Sequence, residues 1–208
     1  MGISERKERQ KTELRQQILE ASQTIVVQDG FAALTMRKIA EAIEYAPATI
    51  YLYFENRDEI AKQICIHGYQ ELLDYLHPVA AISDPRDRLL AIAEAYIRFG
   101  MNHAETYRLI FMADPKFTNA ILKDAPIDDS GGPGSPAFHV LIKLLDDLKA
   151  QDQLAANADS LHFAQVLWTA LHGIVSLKLT CSGFLTASAE GLGTTMTHTF
   201  LAGLPKNS

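Results

Sequence analysis

Apolar residues recur along this chain at three- and four-residue spacing, the period of helices that each bury one face. Leu14, Ile18, Ala21, Ile25 and Val26 mark a first helix, and Met36, Ile39, Ala40 and Ile43 a short second one. Ile50 and Phe54 give a third short helix its apolar side. Ile60, Ile64, Leu72 and Leu76 then stripe a long helix, predicted over Asn56–His77 with Pro78 as its stop. Leu89, Ile92, Tyr96, Phe99 and His103 mark the next, and shorter helices follow over Thr106–Met112 and Lys116–Leu122. Residues 124–136, rich in Asp, Gly and Pro, read as a mobile loop. Three more helices are predicted over Ala137–Ala150, from Asp159 or Ser160 to about Cys181, and over Ala187–Ala202. The chain reads as all-α.

Capping signals sharpen the region from Gly30 to Ile60. Gly30 suits a position of positive φ at the end of the first helix. Thr35 is a good N-cap, and Pro47 fits the first turn of a helix but not its interior. Asn56 followed three residues later by Glu59 is a helix-start signature. Two short helices joined by about four residues make a helix-turn-helix, which suits a major-groove reader better than a catalytic scaffold. The chain then divides into a DNA-binding domain over 1–55 and a helical domain over 56–208. Gly68, in the middle of the long helix, is either a bend or a point of close helix packing.

Charge changes this picture only locally. The net charge is −6, which excludes a chain basic all over. Arg6, Lys7, Arg9, Lys11 and Arg15 nonetheless crowd the N-terminus. Residues 1–10 are expected to be disordered in the free protein, as a basic arm on DNA or a solvated tail. The N-terminus is not a signal peptide, and no apolar run approaches the ~20 residues of a membrane span. Cys65 and Cys181 are far apart without a metal spacing, and a reduced, cytoplasmic protein is the plain reading. Cys65 is expected to pack rather than react.

Catalytic, cofactor and metal motifs are not found. There is no GxSxG, Gly-rich phosphate loop or CxxC, and the seven histidines show no ligand spacing. Phe99, His103, Tyr107, Trp168 and His172 combine helical spacing with mixed polarity, as the wall of a small-molecule cavity does. The other reading is a plain core, with His172 bonded to a backbone carbonyl. Small residues in the last two helices, Ala170, Gly173 and Gly193 among them, allow close helix approach between two copies or within one.

Gly30-Phe31, Thr35-Met36-Arg37, Ile39-Ala40, Thr49-Ile50-Tyr51 and Tyr53-Phe54 resemble the DNA-binding signature of the tetracycline-repressor (TetR) family. The sequence LWTALHGIVSL resembles the Trp–His–Gly signature of one C-terminal subgroup of that family. One departure is plain: the tight turn usually carries Gly-Val, and here it is Glu44-Tyr45. A non-glycine residue held at φ > 0 costs on the order of 1 kcal/mol, so the turn is expected to be built differently.

The resemblance implies a homodimer joined by its last two helices, with Ala170, Gly173 and Gly193 at the interface. It implies double-stranded DNA as partner and release from a palindromic operator when a small-molecule effector binds. Pro47 and Ala48 can touch thymine methyls or fit a groove shape, and Tyr45 adds apolar contact. Thr49, Tyr51 and Tyr53 carry hydroxyls suited to phosphates, a role the resemblance extends to Thr35 and Arg57. Arg37 is the candidate reader of guanine, with a phosphate clamp as the alternative. Two rival functions stay open: a ligand-independent DNA-binding protein controlled by a partner protein, and a small-molecule enzyme with a vestigial helix-turn-helix.

Overall fold

A computed structural model describes residues 2–112 and 135–207. Among them it shows nine α-helices, a 3-10 turn at Phe31–Ala33 and no strand. The helices are α1 (Ile3–Asp29), α2 (Met36–Ala42), α3 (Pro47–Ile50), α4 (Arg57–Ala80) and α5 (Pro85–Asn102). They continue with α6 (Ala104–Met112), α7 (Ser135–Ala150), α8 (Ser160–Thr180) and α9 (Ala189–Gly203). The helix expected over Lys116–Leu122 lies outside the described residues, as does nearly all of the loop expected over 124–136.

The starts follow the capping chemistry. The side chains of Thr35, Asn56, Asp84, Asp159 and Ser188 each accept a backbone N–H from the first turn of the helix that follows. Glu59 Oε2 completes the start of α4 by accepting the Glu55 N–H at 2.7 Å. Gly30 has φ +80°, a conformation other residues rarely adopt.

Two expectations about helix ends are corrected. Residues 3–10 are not an unstructured arm but the first turns of α1. Glu5 caps Gly2 N–H at 2.8 Å and Arg9 pairs with Glu13 at 3.3 Å, in a run rich in strong helix formers. Pro78 does not stop α4, which runs to Ala80. Proline removes one i→i−4 bond, here to the carbonyl of Asp74, and both residues are exposed, so water can take the place of the lost donor.

Helix α5 is the centre of the C-terminal part. Leu89, Ile92, Ala93, Ala95, Tyr96, Ile97, Phe99 and Gly100 are all buried, because α4, α6, α7, α8 and α9 pack around it. Close approach depends on glycine at three contacts. A Cβ on Gly68 would lie 2.7 Å from Thr106 Cγ2, which makes Gly68 a packing point between α4 and α6. A Cβ on Gly100 would overlap Val175 and come 3.1 Å from Tyr107, so this glycine seats both α6 and α8 against α5. A Cβ on Gly193 would overlap Ile97 Cδ1. Gly193 is therefore an intramolecular contact between α9 and α5, not the open interface position expected of it.

Candidate DNA-reading head and effector site

The turn between α2 and α3 keeps the geometry expected of a glycine turn. Glu44 has φ 59°. Tyr45 N–H bonds Ala40 C=O at 2.9 Å and Glu44 N–H bonds Glu41 C=O at 3.3 Å, the paired bonds of a Schellman motif. The turn is thus not built differently: Glu44 takes the left-handed position at a cost of about 1 kcal/mol. Ala46 leads into α3 with Pro47 at its first position, and Ile50 is fully buried beneath it.

This places the candidate DNA contacts. Tyr45, Pro47, Ala48 and Tyr51 are exposed, while Thr49 and Tyr53 are half-buried. Thr35 caps α2 by accepting Lys38 N–H at 3.1 Å. Arg37 is exposed, but its Nε bonds Glu41 Oε1 at 2.8 Å, and that carboxylate holds its pKa above the ordinary value. Arg57 has several partners. Its guanidinium lies 5.3 Å from the Phe31 ring centroid, its Nη1 reaches Leu34 C=O at 3.5 Å, and its Nε pairs with Asp58 at 3.4 Å. It braces the turn after α1 at least as directly as it offers a charge to DNA. Leu52, not among the expected contacts, is the most exposed large apolar residue of the head at 79%. Its signal was its spacing, four residues after Ala48 and seven after Tyr45.

The second site is a row of hydrogen-bonded rings. Tyr96 Oη lies 3.0 Å from Tyr107 Oη, which lies 2.7 Å from His172 Nδ1. Helices α5, α6 and α8 supply one member each. The Tyr107 and His172 rings stack with an interplanar angle of 21°, and Trp168 also stacks on His172, at 28°. Burial pushes both phenols far above their ordinary pKa and lowers that of His172, since each charged form loses hydration. The row is therefore neutral near pH 7. His172 bonds a phenol rather than the backbone carbonyl considered from the sequence.

The five expected effector residues do not form one group. Tyr107, Trp168 and His172 come together. His103 ends α5 instead, with Nε2 3.1 Å from Tyr75 Oη and Nδ1 3.8 Å from Glu71 Oε2. Phe99 connects the two sides, stacked on His103 at 5.5 Å and 6.4 Å from Tyr107. Phe111 and Tyr96 were missed as site residues. Phe111 is one turn beyond Tyr107 on α6 and meets Tyr107, His172 and Trp168 at 4.8, 5.7 and 6.0 Å. That i, i+4 relation to Tyr107 was the available signal.

Comparison with known proteins decides what these two sites belong to. The profile of tetracyclin repressor-like C-terminal domains matches residues 89–200, more than half of the chain, and that of bacterial regulatory proteins of the tetR family matches residues 18–64. The chain belongs to the TetR family. An uncharacterized HTH-type transcriptional regulator of Haemophilus influenzae is 42% identical over 53 residues, which is 26% of this chain and 28% of that protein. A second, from Mycobacterium tuberculosis, is 23% identical over 80% of this chain and 70% of its own length. In fold, the chain resembles the fatty acid degradation regulator FadR from Bacillus halodurans. The TM-score is 0.71 at 17% identity, covering 93% of this chain and 97% of that one.

Membership in the TetR family makes the chain a DNA-binding transcriptional regulator and sets the enzyme alternative aside. The remaining features fall into place around that. Cys65 is buried in α4, and desolvation pushes its thiol up to about 12, so it stays protonated and inert. Among the described residues no helix is long and apolar enough to cross a membrane. On α8, Val166, Ala170, Gly173 and Leu177 fall on one stripe at i, i+4, i+7 and i+11. Val166 and Leu177 are each 43% exposed, and a Cβ on Gly173 would meet nothing within 4 Å.

Proposed function

We propose that this TetR-family regulator is a homodimeric repressor that leaves a palindromic operator when a small molecule binds at the aromatic row. The observation that carries this reading is the position of α6. Tyr107 belongs to the row, and its neighbour Thr106 accepts a hydrogen bond from Gln23 of α1 at 3.4 Å. Adjacent residues of one short helix thus touch the candidate effector site and the candidate reading head. A ligand that displaces Tyr107 has a direct route to α1, and α4, against which α6 packs at Gly68, gives a second. Such coupling requires that the ligand bind the two head orientations with different affinity.

The division at residue 55, the cytoplasmic location and the DNA contacts named above are part of this proposal. The uncovered stripe on α8 supports dimerisation, with Ala170 and Gly173 as the points of close approach. Two reading heads then grip half-sites about one DNA turn, ~34–36 Å, apart. Selection of binding sites from a random duplex pool should return an inverted repeat. Metabolites that raise the melting temperature should change the fluorescence of Trp168, the only tryptophan, and weaken operator binding. A stabilising metabolite that leaves DNA affinity unchanged counts against effector control, and a single asymmetric site counts against the dimer.

A further inference from the structure

The reading head has the wrong charge for its partner. Residues 16–62, from α1 into the start of α4, hold four basic residues, Arg37, Lys38, Arg57 and Lys62, against seven acidic ones. That gives a net charge of −3 where phosphates have to be met. The basic side chains are also engaged within the protein. Arg37 pairs with Glu41 at 2.8 Å, Lys38 with Asp29 at 2.7 Å and Arg57 with Asp58 at 3.4 Å, and Lys62 is not free either. Duplex DNA attracts a protein mainly through cations that replace its condensed counterions, and this head offers few.

Residues 1–15 are the opposite. They hold five basic residues against three acidic ones, a net charge of +2. Arg9 pairs with Glu13, but Lys7 and Lys11 are exposed and make no ion pair among the described residues. They are not on a random face. Lys7 and Lys11 are in helical phase with Ile18 and Ser22, the residues α1 buries against the rest of the head. The buried stripe therefore continues past the edge of the bundle as a basic stripe. Two contacts fix where it goes. Gln23 reaches Thr106 on the effector side, and Arg15, farther along α1, lies 4.8 Å from the ring of Phe54, just beyond α3. At ~1.5 Å per residue Lys11 and Lys7 project ~6 and ~12 Å beyond Arg15, along α1 in the direction away from the Thr106 contact.

We propose that the first turns of α1 are a helical clamp on the phosphates flanking each half-site, with Lys7 and Lys11 as its contacts. The inference rests on the DNA-reading function proposed above and adds the source of its electrostatic affinity. The clamp supplies charge that the head lacks, and because it touches only phosphates it carries no base preference.

The test uses the full-length protein, its selected operator with ten base pairs of flanking duplex on each side, and the same operator trimmed at both ends. Affinity is measured against salt concentration for the wild type, for Lys7→Gln/Lys11→Gln, and for Lys206→Gln as a control with altered charge far from the head. The double variant should bind the long duplex about tenfold or more weaker, with a salt slope shallower by about 3 to 4 for the four lysines of a dimer. It should lose the same factor on random DNA, and trimming should weaken the wild type but not the variant. Circular dichroism should be unchanged, since both residues are exposed. Wild-type affinity and slope in the double variant overturn the clamp and leave the DNA-reading function standing. A wild type that binds no duplex at low salt overturns that function and the clamp with it.

Discussion

The reading head and the aromatic centre handle polar groups in opposite ways. The head keeps its ions outside and pairs them at the surface. Arg37–Glu41, with side chains 84% and 61% exposed, is typical. Such pairs contribute little to stability and are easily exchanged for a phosphate or a base. The centre buries two phenols beside a half-buried imidazole, and satisfies them with one another. Leaving either phenol unpaired costs the desolvation of a buried group. A part that must let go of its internal partners to bind is built from weak contacts. A part that must hold one shape until something displaces it is built from contacts that stand or fall together.

The largest expected effect separates two glycines that look alike in sequence. Gly193→Trp should prevent folding or leave an unstable monomer, because even a Cβ there overlaps Ile97. Gly173→Trp should keep the helical fold, since its Cβ meets nothing, and should lose the dimer by light scattering together with operator binding. A Gly173→Trp protein that remains dimeric moves the interface off this stripe.

Next comes Tyr107→Phe, which keeps the ring and takes the partner from the Tyr96 hydroxyl hydrogen and from His172 Nδ1. A loss of about 1–3 kcal/mol in denaturant unfolding is expected, where the same change at exposed Tyr51 should have almost none. Equal effects at the two positions would erase the contrast between head and centre.

On the head, Arg37→Ala should lower affinity for the operator about tenfold and relax preference at one position per half-site. Arg57→Ala should weaken all sequences alike and also cost about 0.5–1 kcal/mol of folding stability through its lost contact with Phe31. If Arg37→Ala weakens operator and random DNA by the same factor, Arg37 clamps phosphate and specificity lies in methyl contacts and DNA shape.

A smaller effect is set by pH. Burial lowers the pKa of His172 in the folded state below its unfolded value near 6.5. The unfolded chain then binds more protons in that range, so this contribution to stability is present above about pH 6.5 and is lost as pH falls below it. His172→Gln should flatten the fall of the melting temperature between pH 7.5 and 5.5. The smallest effect is Glu44→Gly, which relieves the left-handed strain and should raise stability by up to about 1 kcal/mol. A fall in stability would mean that the Glu44 side chain contributes more than its backbone costs.

The same contrast explains what could be read from the residues alone. The head is written in short-range signals: Thr35 and Lys38 are three apart, Pro47 opens its own helix, and Asn56 and Glu59 meet in one turn. The helical extension at Ile3–Gln10 was missed because its evidence, a cap at Glu5 and one ion pair, is weaker than its polar composition. Pro78 misled because the exposure of Asp74 cannot be read from the pattern. The centre joins residues that sequence spacing does not relate. Tyr107 and His172 are 65 positions apart, and helical period says only that each faces inward. Gly193 likewise signals close approach without naming Ile97 as the partner.

The row of three rings also has a direction. Tyr107 can give its proton to His172 Nδ1 while Tyr96 gives its own to Tyr107, and every hydroxyl hydrogen is then used. Run the other way, Tyr96 keeps a hydrogen that finds no acceptor among the described residues. A proton arriving at His172 Nδ1 occupies the place of the Tyr107 hydrogen, which must turn back toward Tyr96 and strand it. Titrating one imidazole therefore reverses a queue of three groups on three helices, and α6, the middle of that queue, is the helix that touches α1.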